Sequence, residues 1–220
     1  MGLVAPQEGY LPGLRELCTR HGIVLIFDEV ITGFRLARGG AQELYGITPD
    51  LTTLGKIIGG GMPVGAYGGR QDIMDNVAPA GKVYQAGTLS GNPIATAAGL
   101  AQLRYLQSHP EVYEQLERTT TRLADGTRQI AAELGLHYTV NQVGSMFSLF
   151  FTDQPVTSLE TAKQADLEAF GRYFRAMLNR GIYLAPSQFE ALFVSTSITD
   201  DLVDQYLTAC RESLREAHGM

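Results

Sequence analysis

The chain is 220 residues long, 45% hydrophobic, and carries a formal net charge of −6. That is apolar material enough for one large domain or two modest ones. An acidic balance with no run of Lys or Arg argues against nucleic acid or anionic membrane as the main partner, and no stretch approaches the ~18 consecutive apolar residues of a membrane span. The two cysteines, Cys18 and Cys210, lie far apart on expected helices. They suit a reduced, cytoplasmic setting better than a disulfide framework or a metal site.

The opening residues Met1–Pro6 read as neither signal nor transit peptide. The chain passes almost at once into a helix and a buried strand, as an interior starting point would. Pro12 at a first helical position and Gly22 just past the end bracket a helix over about residues 12 to 21. The apolar run Ile23–Phe27 predicts a parallel strand covered on both faces. Further strands are expected near Leu51–Leu54 and Val64–Tyr67. Asn92 as N-cap and Pro93 at the first helical position open a helix through about Gln107.

His109-Pro110 then breaks the chain. Val112, Leu116, Leu123, Ile130 and Leu134 share one helical face, closed by Gly135. The remainder reads as strand, strand, helix, strand, strand, helix. Met146–Phe151 is its most apolar strand, a helix over about 160 to 180 stops at Gly181, and Thr199 before Asp200 and Asp201 starts the last helix. The fold class is α/β. Residues 1–108 are expected to belong to a larger sheet-containing domain and 109–220 to form a smaller α/β domain.

Chemistry gathers in three segments. Asp28 ends the first strand, at the carboxyl edge where open α/β sheets collect ligands. Lys56 lies downstream in Thr52-Thr53-Leu54-Gly55-Lys56-Ile57-Ile58-Gly59-Gly60-Gly61. An amine among glycines, following a carboxylate at a strand end, suits a Schiff-base enzyme. The amine holds an aldehyde cofactor and the carboxylate keeps its ring nitrogen protonated. Val30, facing the same way as Asp28, is placed to pack on that ring. The same strand also reads as a Walker B segment, although Gly55-Lys56 is followed by Ile57 and is no P-loop. The third segment, Gln85 to Pro93, puts Gly87, Thr88 and other small residues before a helix start. That is either an anion site or ordinary capping.

Together these segments resemble the class III pyridoxal-phosphate aminotransferases. The run Phe27-Asp28-Glu29-Val30-Ile31-Thr32-Gly33-Phe34-Arg35 resembles their cofactor-ring segment. The stretches Thr48–Gly69, Val77–Gly81, Tyr84–Pro93 and Leu184–Ala191 are similar to the aminomutase branch of that family. The resemblance implies a fold type I architecture with an incomplete large-domain sheet. It also implies pyridoxal 5′-phosphate, alternating with the pyridoxamine form, carried by Lys56. In this scheme Asp28 pairs with the ring nitrogen and Val30 packs on the ring, with Gly87 and Thr88 at the phosphate. The implied reaction is the isomerisation of glutamate 1-semialdehyde to 5-aminolevulinate, the tetrapyrrole precursor. Lys56 would move the protons and Glu190 would line the substrate pocket. A homodimer is implied as well, Thr88 reaching the cofactor of the neighbouring subunit.

Family enzymes are roughly twice this length, and the resemblance covers only their C-terminal half. The expectation is therefore that these residues alone fold poorly and turn over little substrate. Leu192 stands where the family usually has Gly, and Ile198 where a His is common. Two other functions stay open. One is a class III transaminase using an ω-amino acid donor, against which no arginine lies between Ala185 and Ser197. The other is a non-catalytic truncated or nucleotide-binding domain.

Overall fold

Helix α1, Tyr10–His21, ends as its sequence dictates. Gly22 takes φ 63, and the amides of Gly22 and Ile23 return to the carbonyls of Thr19 and Cys18. The helix begins two residues before Pro12, which falls in the first turn, where a missing N–H costs nothing. Ile23 is thus committed to the cap, and strand β1 starts only at Ile26 and runs to Glu29. The computed structural model describes residues 1–220, which divide into two compact units, Glu8–Glu111 and Met1–Gln7 with Val112–Met220.

In the first unit, β1 pairs in parallel with β2, Leu51–Leu54, through a connection that carries the short helix α2, Gly40–Tyr45. Strand β3, Ala66–Gly69, adds to β2 antiparallel after a glycine-rich connection that carries the 3-10 turn Lys56–Gly59. The order β1-β2-β3 leaves one edge of β1 open. The expected cover on both faces of the Ile23–Phe27 run is absent: Ile23, Val24 and Ile26 are all about half exposed. The short helix α3, Gln71–Met74, follows, and then α4, Pro93–Ser108. Asn92 caps α4 by accepting from the amides of Ile94 and Ala95, both at 3.1 Å.

The second unit contains the long helix α5, Glu111–Glu133, and a hairpin of β4, Thr139–Val143, with β5, Met146–Phe150. Every residue of β5 is buried. The helices α6, Leu159–Ala162, α7, Leu167–Asn179, and α8, Asp200–Ala217, complete it. Leu123, Phe147, Tyr173, Met177, Val203 and Leu214 form the centre of one continuous core. The single helix expected over 160 to 180 is split, because Asp166 accepts from the amides of Glu168 and Ala169 and starts a new helix there. Of two strands expected before α8, only the two-residue β6, Leu192–Phe193, forms against β5.

The unit boundary differs from the expected one at 108 in its treatment of the first residues. Leu3 donates its amide to the buried Ser148 hydroxyl, its carbonyl accepts from the Asn141 side chain, and the Gly2 amide reaches Phe189 O at 2.7 Å. These bonds tie Met1–Gln7 to the second unit. No helix is long and apolar enough to cross a membrane.

Candidate active site

Strand alternation separates the two acids that end β1. Asp28 is exposed and Glu29 is almost completely buried. Glu29 accepts from the Thr32 hydroxyl and the Ala41 amide at 2.7 Å each, and from the amide and side chain of Gln42. It therefore organises the loop between β1 and α2. A Cβ on Gly40 would lie 2.2 Å from its carboxylate, so only glycine fits there.

Asp28 faces the other way. Its Oδ1 accepts from the Val30 amide at 3.0 Å and from the Thr53 hydroxyl at 3.1 Å. Thr53 is its register partner on β2. Lys56 follows Thr53 by three residues, at most about 11 Å of chain. Asp28 and Lys56 thus sit at the carboxyl ends of adjacent parallel strands. Val30 connects them: a Cβ on Gly55 would lie 3.2 Å from its Cγ1.

Lys56 opens a 3-10 turn, Lys56–Gly59, at the left-handed φ of 47, which non-glycine residues rarely adopt. Its side chain is exposed and makes no ion pair or hydrogen bond within the chain. A free amine, and a carboxylate whose bonds to the chain both fall on Oδ1, form a donor set that fits an aldehyde cofactor with a basic ring nitrogen.

Next to this turn lies an apolar cavity of about 630 Å³ between Leu54, Ile58, Val64, Leu89, Ala95 and Leu103. Of the residues expected at the site, Gly87 lines it, while Asp28, Val30, Lys56 and Thr88 are outside its wall. Thr88 is exposed on the turn before α4, its hydroxyl unbonded within the chain. Glu190 belongs to the second unit, where it borders a small cleft with Ser148, Tyr173, Gln188 and Tyr206.

Sequence reasoning missed three elements of this site. Thr53 and Glu29 were recoverable from strand register and alternation. Asp50 was not: it is buried at the head of β2, accepting from the Leu25 amide at 2.7 Å and from Arg15 and Arg70 at 2.9 Å each. Those three donors hold its carboxyl down at about 2, the Leu25 amide contributing most.

Residues 1–214 match the family described as Aminotransferase class-III, and the chain belongs to that family. Its α/β architecture is shared with solved transaminases. An ω-transaminase from Sphaerobacter thermophilus superposes with a TM-score of 0.90 at 35% identity, over 99% of this chain and 50% of that one. A glutamate-1-semialdehyde aminomutase from Pseudomonas aeruginosa in complex with PMP does so at 0.86 and 28%, over 98% and 49%. The glutamate-1-semialdehyde 2,1-aminomutase of Cytophaga hutchinsonii is 60% identical across 100% of this chain and 51% of its own length. An aminomutase of the same name from Brevibacillus brevis is 58% identical across 99% and 50%. The chain spans about half the length of the curated relatives it matches. Membership of this family decides against the Walker B reading of Asp28.

Proposed function

We propose that the chain is the C-terminal part of a pyridoxal-phosphate-dependent aminomutase that converts glutamate 1-semialdehyde to 5-aminolevulinate. The observation that carries the chemistry is the meeting of Asp28 and Lys56 at the ends of two paired strands. The choice of substrate is supported by 56–60% identity to proteins bearing the aminomutase name. Pyridoxal 5′-phosphate, when bound, supplies an aldehyde that condenses with amines and a ring that accepts the electron pair left by a departing proton.

This chain's own residues have four tasks. The carboxylate of Asp28, oriented by Thr53 and the Val30 amide, would hold a proton on the ring nitrogen through a charge-assisted bond. Val30 offers its methyls to a ring face. Lys56 Nζ would hold the aldehyde and, when free, would serve as the base of a 1,3-proton shuttle. Glu190 is assigned to the substrate side. Gly87 and Thr88 are assigned to the phosphate of a neighbouring copy's cofactor, in a homodimer whose sites are shared. Two buried, unpaired cysteines support the proposal of a cytoplasmic location.

The test is 5-aminolevulinate formation. The chain alone is expected to give no substantial turnover. Co-expressed with the N-terminal half of the Cytophaga relative it should gain turnover, which Lys56→Ala abolishes. The likeness to the ω-transaminase favours a second reading, transamination from an ω-amino acid. Consumption of such donors by the complemented pair, with no aminolevulinate, would establish that reading instead.

A further inference from the structure

We infer that Gly99 of α4, acting with Gly60, is a positioning residue for the Lys56 amine. The inference rests on the proposed role of Lys56. Lys56 holds a left-handed backbone conformation that its own side chain disfavours, so neighbouring structure has to impose it. Two close approaches do so. The carbonyl of Ile58, inside the turn, lies where a Cβ on Gly99 would be 2.3 Å away. A Cβ on Gly60, which closes the turn at φ 57, would be 2.5 Å from the carbonyl of Ala98. The turn and α4 therefore meet backbone to backbone, with no flexible side chain between them to absorb a shift.

On its other flank the turn is fixed by Gly55, against Val30. Lys56 is thus held between a strand that also carries Asp28 and a helix that begins just after Thr88. Any residue larger than glycine at position 99 displaces the Ile58 carbonyl. That displacement passes through one intervening residue to Lys56. Gly99 touches neither substrate nor cofactor in this scheme; it acts through the turn.

The chain has two other lysines, Lys82 and Lys163, both exposed, which provide an internal reference. The chain, co-expressed with the N-terminal half of the Cytophaga relative, is incubated with pyridoxal 5′-phosphate. Borohydride then reduces the C=N bond formed when a lysine amine condenses with the aldehyde and water leaves, and the labelled lysines are identified by mass spectrometry. In the unsubstituted chain Lys56 should label well ahead of Lys82 and Lys163. In Gly99→Ala that preference should fall at least about tenfold, since misplacing a reacting group by about 1 Å can cost a hundredfold. Gly13→Ala, whose Cβ meets nothing within 4 Å, should leave it unchanged.

Circular dichroism identifies a variant that has merely unfolded. Should Gly99→Ala do so, amide exchange in the unsubstituted chain decides: Ile58 and Gly60 should exchange as slowly as the middle of α4. A folded Gly99→Ala with the original Lys56 preference overturns the proposal, as does fast exchange of the turn against a slow helix. If Lys56 has no preference even in the unsubstituted pair, its proposed role as the anchoring amine falls and takes this inference with it.

Discussion

Asp50 is the side chain on which the head of the first sheet depends. It sits where β2 begins and bridges three parts of the chain, with Leu25 entering β1, Arg15 on α1 and Arg70 after β3. All three donors favour its charged form. Its folded pKa is lowered from 3.8 to about 2, so its contribution to stability is complete above about pH 4 and is lost as pH falls through 2. Acid unfolding of the first unit, followed by the exposure of Cys18 to a thiol reagent, should therefore begin below pH 4. Asp50→Asn should be less stable at neutral pH, by about 1–3 kcal/mol for the donors left unmatched, and its remaining stability should vary less between pH 4 and pH 2. An unchanged pH dependence in that variant would mean that other carboxylates govern the acid limb.

Elements whose ends carry their own chemistry were readable in advance. Asn92-Pro93 and Thr199-Asp200-Asp201 each mark a helix start where it occurs, because the capping side chain and the amides it satisfies are adjacent in sequence. The placement of Asp28 and Lys56 after neighbouring strands was readable too, from the apolar run before one and the glycine-rich stretch around the other. Contacts across sequence were not. Nothing near Gly99 announces that its missing side chain makes room for Ile58, and the apolar run at Ile23 gave no warning that α1's cap would use its amide. The failed strand after α7 has a similar cause. The Gln188 side chain donates to Leu149 O at 2.7 Å and accepts from the Phe151 amide at 3.3 Å, taking the place of a strand beside β5. Gln188→Ala should leave both groups buried without partners and lower stability by about 1–3 kcal/mol. Gln188→Glu should serve worse than glutamine, since it keeps the acceptor but removes the donor to Leu149. Urea denaturation of the two variants checks the magnitude and the contrast.

The two units differ in how completely they cover their apolar surface. The second has a continuous core from Leu123 to Ala217, with Met177, Val203 and Leu214 wholly inside, and a smaller cluster around the buried Phe150. The first leaves much of its apolar surface in water: Tyr84 is 84% exposed, Ile94 70% and Leu89 61%, and the open edge of β1 adds Ile26 at 53%. An unpaired strand edge flanked by apolar side chains recruits other chains. This chain spans about half the length of its relatives, and in the proposed function the other half covers that surface. Without it the chain should self-associate, its apparent mass in sedimentation rising with concentration. Ile26→Lys places a charge on the open edge, and should raise the monomer fraction severalfold at a given concentration. The same substitution should weaken complementation by the N-terminal half of a relative, because one edge serves both contacts. A chain that stays monomeric at every concentration, or an Ile26→Lys variant that complements as well as the original, would show that this edge needs no cover.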